Sequence, residues 1–396
     1  MSYSRDRQGA ALESNNMAQR LKTDWFLFGT VLAMLCFGVL ILYSASSIMA
    51  QLRYGSTWHF VLRQVAWAGA AVVVMMTLKR THYRRFQNPA VAFSAIGVAL
   101  MLLVAVYVID GAHHRWLRLG PIGLQPSELA KPALVIFLAF FVTWRGRAIN
   151  NARYTLIPAA LAVGLIILAV VVADLGTAVV LGATAAIVFF VAGLESRYGA
   201  IAATVALVGV GLFIVTSPYR LARVVKFFDP EFKIVNRIDG RGRIKAQLQR
   251  SLTTRDTNYQ LQQSQIAVGA GGPGGLGLMN GKQKLLYLPE AHTDFIYAVA
   301  SEELGLLGSV GLLFGFLVIF WRGWRAALRM NDDFGRYLAL GVTAVVVVQG
   351  LINISVVLGM MPTKGIPLPM ISSGGSSLLS TLASLGILMN VSEHAG

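Results

Sequence analysis

Residues 25–47 read WFLFGTVLAMLCFGVLILYSASS, a long, mostly apolar run without a single charge. Such a run, wound as a helix, crosses the roughly 30 Å of hydrocarbon in a bilayer. Comparable runs follow at 59–78, 89–109, 127–144, 155–173, 176–194, 200–217, 294–320, 336–359 and 374–392. Composition agrees. Charged residues make up 13%, hydrophobic residues 56%, and mean hydropathy is +0.63, whereas soluble domains are about a quarter charged. The fold class expected is an all-α polytopic membrane protein of about ten transmembrane helices.

The polar stretches between the runs set the orientation, because short cytoplasmic loops keep Lys and Arg. Arg5, Arg7, Arg20, Lys22, Lys79, Arg80, Arg84, Arg85, Arg145, Arg147, Arg153, Arg197, Arg322, Arg325, Arg329 and Arg336 fall on one side. Both ends are therefore expected inside, with a cytoplasmic tail at 1–24, a membrane domain at 25–392 and a cytoplasmic C-terminus at 393–396. One large extracytoplasmic loop, 218–293, lies between helices 7 and 8; long loops translocate regardless of their charge. The net charge of +16, from 34 Lys and Arg against 18 Asp and Glu, reads as cationic loops rather than a nucleic-acid surface. The first run lacks a small-residue cleavage pattern and reads as a retained anchor. The single cysteine, Cys36, allows no internal disulfide and is expected to pack as a small apolar residue.

Within the long loop, Tyr219 to Phe228 (YRLARVVKFF) has the spacing of an amphipathic helix, fitting either the outer leaflet or a solvated loop. Gly269 to Gly281 is rich in glycine, which allows tight turns and close backbone approach to a ligand, but lacks the lysine and hydroxyl spacing of a phosphate loop. Ionisable residues at membrane depth are costly and mark functional sites by default. They gather at the outer ends of the runs: Arg115, Arg118, Glu128, Lys131, Asp174, Asp294, Glu302, Glu303 and Lys364. The cytoplasmic ends show no comparable mixture of signs. Plainer readings stand beside these. Asp294 or Thr293 also suits a helix N-cap, and Glu128 and Lys131 suit an i,i+3 pair. Glu302 and Glu303 point about 100° apart, and Arg115 and Arg118 suit interfacial snorkelling. His292, His113 and His114 form no metal-ligand spacing.

The stretch Asn353 to Ser377, NISVVLGMMPTKGIPLPMISSGGSS, resembles the signature of the SEDS family (shape, elongation, division and sporulation). LYSASS (Leu42 to Ser47), HRWLRLGPIGLQPSELAK (His114 to Lys131), DLGTA (Asp174 to Ala178) and YRLARVVKFFDP are similar to the same family in the same order. So are SQIAVGAGGPGGLGL and LPEAHTDFIYAVASEELG. PTKG at Pro362 to Gly365 is similar to the division (FtsW) branch. Ser373, where tyrosine is usual, departs from the common pattern, and Pro367 resembles the elongation (RodA) branch.

The resemblance implies a peptidoglycan glycosyltransferase that polymerises lipid II, a disaccharide-peptide on undecaprenyl pyrophosphate, on the outer face of the bacterial plasma membrane. Asp294, the aspartate of HTDF, is the expected catalytic residue. Inversion at the anomeric carbon calls for a carboxylate base on the acceptor hydroxyl and positive charge on the leaving pyrophosphate. Lys364, Arg118, Arg115, Arg220 and Arg223 are candidates for that charge, and Glu128, Lys131 and Ser376 are further candidates for substrate binding. A divalent cation (Mg or Mn) held by Asp294 would serve the same end, and the residues leave the alternatives open. Implied partners are a cognate class B penicillin-binding protein transpeptidase and other divisome membrane proteins at the septum. Two other classes compete. A lipid-linked precursor flippase requires charges in the cytoplasmic halves of the spans. A recruiting scaffold leaves Asp294 and Lys364 without a role.

Overall fold

The computed structural model describes residues 23–110, 115–119, 122–229, 232–238, 246–248, 258–362 and 365–395. Lys364, His113, His114 and the tail before Thr23 lie outside the described residues. In chain order the helices are α1 (Trp25–Tyr54), α2 (His59–Arg80), α3 (Pro89–Ile109), α4 (Pro126–Arg145), α5 (Ile157–Ala173), α6 (Leu175–Val191) and α7 (Ser196–Val215). They continue with α8 (Pro218–Phe228), α9 (Lys233–Ile238), α10 (Asn258–Gly271), α11 (Ile296–Arg329), α12 (Asp333–Val357) and α13 (Gly375–His394). A short antiparallel hairpin, β1 (Leu117–Leu119) and β2 (Ile122–Leu124), precedes α4, with Arg118 opposite Gly123.

Local chemistry sets many of the helix boundaries. Asp24 accepts from the Leu27 amide at 3.0 Å to start α1, and Asn88 accepts from Ala90 at 2.9 Å with Pro89 in the first turn of α3. Asp174 and Asp332 cap α6 and α12 in the same way. Among the described residues nine helices are long and apolar enough to cross a membrane, and α6 is a shorter apolar helix. All ten expected runs are helical, and the chain is a multi-pass membrane protein. Two runs extend well beyond their expected ends, α1 to Tyr54 and α11 to Arg329. Cys36 is exposed on the bundle surface rather than packed inside it.

Helices α4, α12 and α13 form the buried centre. The lack of a side chain at Gly386 lets α13 lie against the backbone of α2 at Met75. Helix α7, by contrast, buries none of its residues. On α8, Leu221, Ala222 and Val225 pack with Phe232, Val235 and Leu248, so the loop's own side chains cover part of its apolar face.

One end of the bundle gathers the chain termini and the α2–α3 and α11–α12 turns, and it corrects an expectation. That end does mix charges. Arg322 pairs with Asp24 at 2.7 Å and Lys79 with Glu393 at 2.7 Å. The Tyr83 hydroxyl donates to Asp332, and Asn390 bridges the Tyr83 amide and the Lys79 carbonyl. Each of these contacts ties one element to another.

Helix α11 is broken at Gly305, where φ is 62° and ψ is −154°, a region open essentially to glycine alone. A break frees backbone carbonyls that a low-dielectric setting does not forgive. The glycine-rich segment after α10 supplies the missing partners. Leu276 N–H donates to the Glu302 carbonyl at 3.0 Å, Gly277 N–H to Glu303 at 2.9 Å, and Leu306 N–H to Gly272 at 2.9 Å. The glycines are needed for this docking: a Cβ on Gly275 would collide with the Glu303 carbonyl. The close backbone approach expected of this run is thus made to the chain's own helix. Gly305→Ala should cost about 2 kcal/mol or more through its backbone conformation and contact with Gly275. Gly311→Ala on the same helix, with open space around it, should be neutral or mildly stabilising. Thermal unfolding of the two purified variants decides this, and equal melting would refute the account.

Candidate active site

The segment before α11 is held from several directions. The Leu288 amide donates to the Gln283 carbonyl at 2.8 Å, and Leu288 and Ala291 are buried. Ser372 Oγ donates to the Thr293 carbonyl, and Ser373 N–H donates to the His292 carbonyl at 3.0 Å. Asn353 Nδ2 donates to two carbonyls at once, Asp294 at 2.8 Å and Ile366 at 2.7 Å. One amide group thus fastens the HTDF segment to the loop after Pro362.

Asp294 is partly buried and lies two residues before α11. The capping alternative fails on geometry: Phe295 is the N-cap and gives no side-chain cap bond, and the Thr293 hydroxyl donates to Glu290 instead. Burial pushes the Asp294 carboxyl up to about 7, opposed by the nearby Arg115 cation and reinforced by Glu290 and Asp174. Arg223 also pulls it down. The carboxylate presses on Gly365, where an added Cβ would lie 2.7 Å from Oδ2.

Arg115 reaches the same place from the hairpin side. Its Nη2 lies 3.6 Å from Asp174 Oδ2 and donates to the Gly365 carbonyl at 3.4 Å. Asp110 accepts the Arg115 and Trp116 amides, which fixes the entry to the hairpin. Asp174 spends its other bonds on the Gly176 and Thr177 amides and the Thr177 hydroxyl. The structure therefore joins Asp294, Arg115 and Arg223, with Asp174 and Glu290 beside them. Gly365, next to Lys364 in sequence, touches both Asp294 and Arg115.

Other expected site residues lie elsewhere. Arg118 is exposed on β1. Arg220 folds back over the Phe213 ring at 3.7 Å and donates to the Phe213 carbonyl, so it serves the α7–α8 turn. Glu128 and Lys131 are buried and paired at 2.7 Å, and Lys131 also donates to Gln349 Oε1. Gln349 in turn donates to the Pro367 carbonyl at 2.8 Å, so the pair props the loop rather than facing outward. Ser376 is buried on the first turn of α13, its hydroxyl without a partner among the described residues. The His292 ring packs on Phe60. Among the described residues no three His, Cys, Asp or Glu side chains gather as a metal site.

Sequence reasoning missed Asn353, Gln349 and Gln64, all buried. Gln64 Nε2 donates to the Ser372 carbonyl and its Oε1 accepts from Gly374. The available signal was a lone amide side chain inside an apolar helix, which must find a partner there.

Comparison with known proteins points the same way. The family model described as "Cell cycle protein" (FtsW, RodA, SpoVE) matches residues 24–396. A "Probable peptidoglycan glycosyltransferase FtsW" of Geobacter metallireducens is 36% identical over 388 residues, 96% of this chain and 97% of that protein. Stage V sporulation protein E of Bacillus subtilis is 32% identical, covering 95% and 99% respectively. Among solved structures, one titled as a peptidoglycan synthase complex that coordinates polymerization and crosslinking matches with a TM-score of 0.73 at 28% identity, over 94% of this chain and 98% of that one. The rod shape determining protein RodA of Thermus thermophilus matches with a TM-score of 0.65 at 27% identity, over 94% and 97%. The chain belongs to the FtsW–RodA–SpoVE family of cell cycle proteins, the SEDS family that its motifs resemble.

Proposed function

We propose that this chain is a peptidoglycan glycosyltransferase that polymerises lipid II on the outer face of the bacterial plasma membrane, in the division branch of its family. The observation that carries the reading is the Asp294 carboxylate, with its pKa raised to about 7 and two arginines acting on it, at the loop-bearing end of the bundle. A base with that affinity for protons works well near neutral pH. As the acceptor hydroxyl oxygen attacks the anomeric carbon, Asp294 takes its proton. The bond from that carbon to the pyrophosphate oxygen breaks, and the electron pair leaves with the pyrophosphate. Arg115 and Arg223, together with Lys364 beside Gly365, meet the charge that develops. Any divalent cation there would take most of its ligands from phosphate oxygens and water. The similarity to a synthase complex favours a crosslinking partner, read as a class B penicillin-binding protein at the septum.

The capping reading being gone, Asp294 can be tested cleanly. Asp294→Asn keeps the shape and removes the base, so lipid II polymerisation should fall by about a hundredfold or more. Asp294→Glu moves the carboxylate by one methylene and should also lose most activity. Gel analysis of glycan made by equally inserted proteins reads this out, and an active asparagine variant would sink the assignment.

The rate should fall as pH drops through about 7, where Asp294 takes up a proton. Arg115→Gln removes the stronger of the two cations that lower this pKa and leaves Asp174 unopposed. Both changes favour the protonated form, so the acid limb should move to higher pH whatever happens to the plateau. A pH–rate profile for the two proteins measures it, and an unmoved limb would place Arg115 away from the base.

For the orientation, reporters fused after Arg85, Arg153 and Arg329 should report cytoplasm, and one near Asp256 should report the outside. A cytoplasmic signal at Asp256 would overturn the surface-chemistry reading.

A further inference from the structure

The glycine-rich segment that docks on the broken helix ends at a buried cluster with no part in the mechanism above. Lys284 Nζ donates to Glu303 Oε1 at 2.6 Å and to Ser44 Oγ at 2.7 Å. Ser44 Oγ in turn lies 2.6 Å from Glu303 Oε1 and 2.8 Å from Oε2. The Met279 amide donates to Oε2 at 3.1 Å. Beside it, Glu302 accepts the amides of Lys282 and Gln283 at 2.8 and 3.2 Å. Ser44, Lys284 and Glu303 are 1%, 5% and 0% exposed, so the cluster is closed to any substrate.

We propose that Ser44, Lys284 and Glu303 form a positioning clasp that sets where the segment 285–295, and with it Asp294, sits relative to Arg115. The inference rests on the polymerase reading only for its activity readout. Three distant pieces of chain meet here: α1, the loop and the half-helix before Gly305. Stability alone is a poor reason for the cluster, since a buried ion pair is seldom more stabilising than apolar residues of the same volume. What a buried pair does supply is a single allowed register, because a slipped lysine leaves two charges unpaired in a low dielectric. The register is passed on by a stiff connection. Leu288 N–H bonds back to the Gln283 carbonyl, Phe295 N–H to Glu290, and Leu288 and Ala291 are buried between them. A shift at Lys284 therefore arrives at Asp294, where misplacement by about 1 Å is costly to catalysis.

The test uses the full chain with its partner in lipid nanodiscs, comparing Lys284→Met, Glu303→Gln and the double variant. Each single variant leaves one buried charge alone and should lower kcat roughly tenfold or more while KM for lipid II stays within about threefold. The double variant leaves no charge and should recover most of the loss. A second readout needs no activity. In a Cys36→Ser background, Ala291→Cys should label about fivefold faster with a soluble maleimide in the single variants than in wild type or the double variant. A control cysteine at the buried Ala339 on α12 should not change. Wild-type kcat and labelling in the single variants would overturn the clasp, as would a double variant no better than either single. Equal gains in labelling at both cysteines would do the same, by showing general loosening. If the wild-type chain makes no glycan, the polymerase reading fails, and the labelling contrast still decides the clasp.

Discussion

Backbone carbonyls freed inside a membrane protein must find donors nearby, because no water is at hand to take them. The break at Gly305 in α11 imposes that demand. The glycine-rich segment answers it with the amides of Leu276 and Gly277. Much of the loop-bearing end follows from this one docking. It fixes where the loop turns back, brings Lys284 under α1, and delivers the HTDF segment to the top of α11. Glu302 and Glu303 contribute through both main chain and side chain: their carbonyls close the break, and their carboxylates hold the loop segment that leads away from it.

The two ends of the bundle use charge in different ways. Asp24, Arg322, Lys79 and Glu393 close on each other across the termini and hold the helices in place. Arg115 is instead stretched between Asp174 and a carbonyl at longer distances, with its Nε buried and without a partner among the described residues. Closed pairs of the first kind stabilise an architecture. In the proposed mechanism the second arrangement would leave positive charge available to the departing pyrophosphate. This contrast weighs against a path of charge running the full depth of the bundle, as a transporter of precursor would need.

The spans were legible because hydropathy over twenty residues is a local property, and Asp294 stood out as a carboxylate at the edge of such a span. Its relation to the helix was not legible. A boundary shift of two residues separates a capping side chain from a free one, and hydropathy does not resolve that. The Glu128–Lys131 pairing followed from helical spacing, but its third member, Gln349, comes from a helix far away in sequence. The glycine run was only half legible for a related reason. Its composition announces close backbone contact, yet only the fold reveals that the other surface is α11 itself. Lys284 sits where the polar Lys282–Gln283 pair meets the apolar run from Leu285, and nothing in that position marks it as buried. Arg220 and Arg223 are one turn apart on α8, and only the fold separates Arg223, whose charge acts on Asp294, from Arg220, which lies over Phe213.

Asn353 spends both hydrogens of one amide on two carbonyls, those of Asp294 and Ile366. That makes the site sensitive to the commonest spontaneous damage of asparagine. Deamidation would exchange the two donors for a carboxylate of nearly identical shape facing two carbonyl oxygens, an electrical inversion with hardly any steric signature. The reaction begins when the next residue's backbone nitrogen attacks the side chain, which requires that nitrogen to leave its helical bond. Asn353 lies in the last two turns of α12, still within the helix, and helical hydrogen bonding there holds the following amide out of reach. The helix that positions the asparagine is thus also what keeps it from ageing.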